Sequence, residues 1–217
     1  KFLSGHGNAM GGAIVDSGTF DWAQNDKYPS LAQPEEAYHG LNFYESFGDL
    51  AYTTYGHAVG LRDLGPTMAP MNAYLTIMGI ETLALRMEKH VANAEVVANY
   101  LHNHDKVSWV SYAGLEDSKY FHLAKKYLPK GAGSVFTFGI KGGYDAGVKF
   151  VEKCQLLSHL ANIGDTRSLV LHPASTTHRQ LTETQRISAG AGDDVIRLSI
   201  GLETVEDIIA DLEQALR

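Results

Sequence analysis

Hydrophobic and polar positions change rhythm twice along this 217-residue chain. Residues 11–15 form a short apolar run ending at Asp16-Ser17-Gly18, which predicts a buried strand closed by a turn. Residues 18–45 are polar, aromatic and irregular, with Pro29, Pro34 and Gly40. A structureless connection of that length is uncommon and is usually functional or packed on a partner. Phe20, Trp22, Tyr28, Tyr38, Phe43, Tyr44, Phe47 and Tyr52 lie in or beside it. They would bury the loop at a subunit contact or cover the surface of their own domain.

Helical spacing follows. Residues 49–64 predict a helix broken by Gly65-Pro66, and residues 69–78 a second one. Gly79 interrupts, and residues 81–103 predict a long helix. Its Met87, Val91, Ala94, Ala98 and Leu101 make one apolar stripe for a core. Beyond Asp105 strands and helices alternate. Strands are predicted at 107–112, 134–141, 160–163, 168–172 and 195–200, and helices at 118–128 and 144–157. In the second strand Phe136, Phe138 and Ile140 face one way, Val135 and Thr137 the other. Thr204 and Asp207 have the spacing of a capping box opening a last helix, whose Ile208, Ile209, Leu212 and Leu216 share a face. Residues 106–217 therefore predict an α/β or α+β sandwich.

Charge and composition narrow the function classes. The net charge of −7 argues against a nucleic-acid partner, which would favour a basic face. No apolar run is long enough to span a membrane. The single cysteine, Cys154, cannot form an internal disulfide, which fits a reducing, cytoplasmic setting. Nothing adjacent suggests an activated thiolate, so Cys154 reads as a small, half-buried helix residue.

Two positions carry candidate chemistry. Lys1 precedes Gly5, Gly7, Gly11 and Gly12, which let the backbone pass close to a bulky group. A lysine amine can hold an aldehyde cofactor covalently and later move protons as a free amine. The alternative is an ordinary chain terminus followed by a plain turn. Arg197 sits inside the apolar strand at 195–200, where an unpaired guanidinium is costly to bury. Its fork matches a carboxylate, so it is a candidate for binding an amino-acid carboxylate. The alternative is a local pair with Asp193 or Asp194. His172 and His178 lack a third partner in view, so no metal site is predicted.

Three stretches besides Lys1-Phe2-Leu3-Ser4-Gly5-His6-Gly7 complete a pattern: Ala161-Asn162-Ile163-Gly164-Asp165, Ser168 through His178, and Ile196-Arg197-Leu198-Ser199-Ile200-Gly201-Leu202-Glu203. In this order they resemble the Cys/Met-metabolism family of pyridoxal-phosphate (PLP) enzymes over essentially the whole chain. The resemblance implies that Lys1 carries pyridoxal 5'-phosphate as a Schiff base and is the catalytic base. It implies that Arg197, with Asn162, binds the substrate carboxylate. It also implies an α/β fold: the C-terminal part of a fold-type I (aspartate aminotransferase-like) PLP enzyme. Residues 1–78 would be the C-terminal remnant of the large PLP-binding domain, 79–105 a long connecting helix and 106–217 a small C-terminal α/β domain.

Within the family, the loop holding Tyr38-His39-Gly40-Leu41 and Phe47 through Tyr52 resembles that of the O-acetylhomoserine sulfhydrylases, as do Gly79 through Leu83 with Leu85-Arg86-Met87-Glu88-Lys89-His90, and Lys125 through Gly131. That subgroup implies γ-replacement on O-acetylhomoserine by sulfide or a small thiol. It also implies a homotetramer, and a missing N-terminal half of the same polypeptide that holds most cofactor contacts. A cystathionine synthase or a γ-lyase of the same family is the rival activity. A non-catalytic module holding no cofactor is the rival of another class.

Overall fold

Alternation along the strand at 135–140 organises the larger of two units. The computed structural model covers all 217 residues. They divide into one unit of Lys1–Ala9 with Tyr74–Arg217 and a second of Met10–Ala73. The first nine residues thus group with Tyr74–Arg217.

In the Met10–Ala73 unit the helices are short: α1 (Pro29–Ala32), α2 (Phe43–Phe47) and α3 (Ala51–Tyr55), with single 3₁₀ turns at Glu36–Tyr38 and Gly48–Leu50. The connection predicted to be structureless thus folds into one-turn helices. Asn42 explains one of them: its side chain accepts from Glu45 N at 3.2 Å, capping α2, and donates to Ala32 O at 3.0 Å. The aromatic residues pack on one another. Trp22 stacks on Tyr52 at 5.3 Å, Phe20 and Tyr28 close around Trp22, and Phe43 is buried among Tyr38, Phe47 and Tyr55. After α3 the chain runs on as a π-helical stretch, Gly56–Asp63, so the helix predicted over 49–64 is split by type. The strand predicted at 11–15 is absent, and Ile14 and Val15 are exposed. A strand needs a neighbour for its backbone N–H and C=O groups, and this unit contains no sheet.

Helix α4 (Pro70–Glu81) leads out of that unit, and α5 (Leu83–His102) follows after Thr82. Gly79 does not interrupt: it lies inside α4, and the break falls at Thr82. Beyond α5 come β1 (Val107–Ser111), α6 (Phe121–Tyr127), β2 (Val135–Ile140), α7 (Gly143–Lys153), β3 (Ser158–His159), β4 (Leu169–Leu171), α8 (Glu183–Ser188), β5 (Val195–Ser199) and α9 (Val205–Leu216). The sheet order is β1-β2-β5-β4-β3; only β3 and β4 run parallel. Phe136, Phe138, Val170, Ile196 and Leu198 share the core with Ala94, Val97, Ala98 and Leu101 of α5 and Ile208 and Leu212 of α9. Fully burying one such side chain contributes about 1.5–3 kcal/mol. Arg197 points to the opposite face of β5 from Ile196 and Leu198, because successive strand residues alternate.

Two expectations fail locally. Residues 160–163 form no strand and instead make an irregular loop, whose Gly164 N is taken by the Ser199 hydroxyl at 2.9 Å. No side-chain cap forms at Thr204, although the helix does begin at Val205. The reciprocal capping box is at Thr182 and Gln185, opening α8.

Candidate active site

Lys1 begins a tight turn. Gly5 N donates to Lys1 O at 2.9 Å, and Gly5 O accepts from Thr166 N at 2.8 Å. Gly5 has φ +78°, and a Cβ there would lie 2.4 Å from Arg86 Nη1, so both backbone and space require glycine. The turn rests on α4 at Gly79, where a Cβ would lie 2.4 Å from Leu3 O and 2.6 Å from Ser4 Cα. Two glycines therefore set how closely this segment approaches its supports.

The loop after β3 supplies the first partner. Lys1 Nζ donates to Asn162 Oδ1 at 2.8 Å. The loop is fixed from behind by Gly164 N on Ser199 Oγ and by Leu202 N on Thr166 O at 2.8 Å. Asp165 is buried beside it and bonds to Arg167 N at 3.0 Å and to the Arg167 guanidinium at 3.2 Å. Burial alone would raise the Asp165 carboxyl pKa, but the bonds from Arg167 outweigh it and the group stays below the usual carboxylate range.

Strand β5 supplies the second partner. Arg197 lies in register between Thr137 of β2 and Leu171 of β4. Its Nη2 donates to Asn162 O at 3.4 Å. The local aspartates are engaged elsewhere: Asp193 pairs with Arg186 at 2.8 Å, and Asp194 accepts from Trp109 Nε1 at 2.9 Å. None of the chain's ion pairs uses Lys1 or Arg197. The structure thus brings Lys1, Asn162 and Arg197 together, with Asn162 touching both cations, one through its side chain and one through its backbone.

These groups suit two ends of a PLP site. An exposed primary amine whose side-chain partner is a neutral amide is free to attach an aldehyde. A half-buried guanidinium free of any carboxylate keeps its fork for an incoming one.

Other polar groups have structural partners. His172 is fully buried, with Nε2 donating to Asp193 O at 2.9 Å and Nδ1 facing Ser175 Oγ at 2.9 Å. Burial, with Asp211 nearby, pushes the Cys154 thiol up to about 12, far from thiolate chemistry. The sequence reading used Arg86 and His90 only as part of a resemblance and gave them and Asn93 no place at the site; all three are buried on α5 and bond to backbone carbonyls around it. The signal was there, since they recur at helical spacing. They were passed over because polar residues do not count towards an apolar stripe.

The chain is similar over its whole length to known proteins. The profile of the family "Cys/Met metabolism PLP-dependent enzyme" matches residues 1–217. The Schizosaccharomyces pombe homocysteine synthase is 51% identical over all of this chain and 51% of its own length. The Leptospira meyeri O-acetyl-L-homoserine sulfhydrylase is 47% identical, again over all of this chain and 51% of its own. A crystal structure of a candidate O-acetylhomoserine (thiol)-lyase from Campylobacter jejuni superimposes with a TM-score of 0.90 at 42% identity. It is covered over 52% of its length and contains a pyridoxyl-lysine phosphate. The chain spans about half the length of these relatives, and its fold is the matching part of that PLP-enzyme fold.

Proposed function

Since the chain belongs to the Cys/Met metabolism PLP-dependent enzyme family, we propose that it serves γ-replacement on O-acetylhomoserine, in a polypeptide that also carries the other half of its relatives' length. Sulfide replaces the acetoxy group at Cγ, giving homocysteine and acetate; a small thiol such as methanethiol would give methionine. The names and full-chain similarity of the relatives support the reaction. The observation that carries the site is the cluster of Lys1, Asn162 and Arg197.

Pyridoxal phosphate, when bound, supplies an aldehyde for lysine attachment and a sink for the electrons released at Cα. Lys1 Nζ is the attachment group. As a free amine Lys1 would serve as the base, taking the Cα proton and then a Cβ proton as acetate leaves. Arg197 binds the α-carboxylate through paired N–H donors and so fixes the direction of the Cα–H bond. Orientation of this kind supplies several kcal/mol of the barrier reduction. Asn162 holds the Lys1 amine and helps set the Arg197 head. Assembly as a homotetramer in the cytoplasm belongs to the same reading.

The test is a product assay on the full-length, cofactor-loaded protein. Sulfide-dependent homocysteine formation from O-acetylhomoserine is expected. Release of a keto acid in place of homocysteine would assign it to the γ-lyases instead. A colourless protein that retains no cofactor would make it a non-catalytic module.

A further inference from the structure

Arg86, His90 and Asn93 lie four and three residues apart on one buried face of α5. Arg86 donates from Nη1 to Phe2 O at 2.9 Å and from Nη2 to Leu3 O at 3.2 Å and Gly79 O at 2.7 Å. Its Nε donates to Thr82 Oγ1 at 3.3 Å. His90 Nδ1 donates to Ile200 O at 2.6 Å, and Asn93 Nδ2 donates to Gly201 O at 3.0 Å and Glu203 O at 2.8 Å. One helix face therefore holds two backbone segments: the residues directly after Lys1, and the residues directly after β5, which carries Arg197.

The charge on Arg86 makes this arrangement informative. The residue is 6% exposed and has no carboxylate partner. A buried cation without a counter-charge is costly. What offsets it here is a set of backbone carbonyls, two of them in the turn that begins at Lys1. Arginine remains charged and offers its donors in a fixed plane, which a flexible lysine does not. A helix rises about 1.5 Å per residue, so Arg86 and Asn93 lie about 10 Å apart along the α5 axis, and between them the His90 ring packs edge-on against Phe2 at 5.5 Å.

We propose that the Arg86–His90–Asn93 face of α5 is the positioning element of the site, with Arg86 setting the reach of Lys1 and Asn93, aided by His90, setting that of Arg197. The inference rests on the reading of Lys1 as the attachment lysine and Arg197 as the carboxylate binder. It predicts that the two ends of the helix fail differently, which a purely structural role would not produce.

The experiment uses the full-length protein with Arg86→Ala, Arg86→Lys and Asn93→Ala, stripped of pyridoxal phosphate and then reloaded with it. Attachment of pyridoxal phosphate is followed by borohydride trapping and peptide mass mapping. Both Arg86 variants should attach the cofactor to Lys1 more slowly. Their kcat should fall about ten- to a hundredfold, the range expected for misplacement near 1 Å, with KM for the amino acid within about twofold. Added guanidinium should restore part of the attachment rate in Arg86→Ala. Asn93→Ala should instead mainly raise KM. Wild-type attachment rate and kcat in a folded Arg86 variant would overturn the proposal, as would parallel losses in all variants that track only their melting temperatures. If Arg86→Ala does not fold, Arg86→Lys is judged by the same criteria. A wild-type adduct on a lysine other than Lys1 would overturn the attachment reading itself, and the inference with it.

Discussion

Gly79 and Ser4 approach so closely that a Cβ on Gly79 would lie 2.6 Å from the Ser4 Cα. Both are buried, and the atoms met are backbone, which cannot swing aside. Gly79→Ala should therefore push the Lys1 turn away from α4. The expected cost is about 1–3 kcal/mol of stability, the usual penalty of overpacking, together with reduced cofactor attachment to Lys1. Thermal unfolding and borohydride trapping check the two effects, and a variant with wild-type values in both would contradict the packing argument.

Asn162 presents a neutral oxygen to Lys1 Nζ at 2.8 Å. Asn162→Asp places a negative charge there, which favours the ammonium form of the amine. The pH at which pyridoxal phosphate attaches to Lys1 should then move upward. A pH titration of the protein's visible absorbance reads it directly, and a downward or absent shift would count against the contact.

Arg197→Ala removes the proposed carboxylate binder. Hydrogen bonds to charged groups contribute about 1.5–3 kcal/mol, so KM for O-acetylhomoserine should rise roughly ten- to a hundredfold. Cofactor attachment to Lys1 should persist in this variant. Steady-state kinetics alongside borohydride trapping separates the two, and an unchanged KM would exclude the assignment.

Asp211 offers a pH prediction away from the site. Its carboxylate accepts from Gln155 N, Leu156 N and Leu157 N at 2.8–3.0 Å, fixing the segment after α7. Burial pushes its pKa up, but these bonds and that from Gln214 outweigh it, so the folded-state pKa is depressed. A depressed carboxylate pKa stabilises the fold above the unfolded value of about 3.9, and that stability is lost as pH falls through the folded value. Asp211→Asn should lower the melting temperature near neutrality, and the gap to wild type should narrow only in strong acid. A gap independent of pH would show that charge is not the cause.

The regular parts of the fold were legible because burial imposes a period on sequence. Phe136, Phe138 and Ile140 announced β2, and Ile208, Leu212 and Leu216 announced α9. The run at 11–15 was misread because apolar residues show only that burial is favourable, whereas a strand also needs a partner edge. Gly79 was misread for a related reason. Its low helix propensity suggested a break, but the absent Cβ serves the close approach of Leu3 and Ser4. Lys1 and Arg197 stood out by their chemistry and Asn162 only through the resemblance, and their meeting in the structure depends on three separate segments. The contacts of Arg86 with the Lys1 turn were not legible, since they run to carbonyls more than eighty residues away, and no local pattern encodes those.

The most direct test of the account is borohydride reduction of the full-length, cofactor-loaded protein, followed by mass mapping of its peptides. A phosphopyridoxyl group on the peptide containing Lys1, at close to one per chain, is the predicted result. An adduct on another lysine, or none in a protein that turns over O-acetylhomoserine, would contradict it.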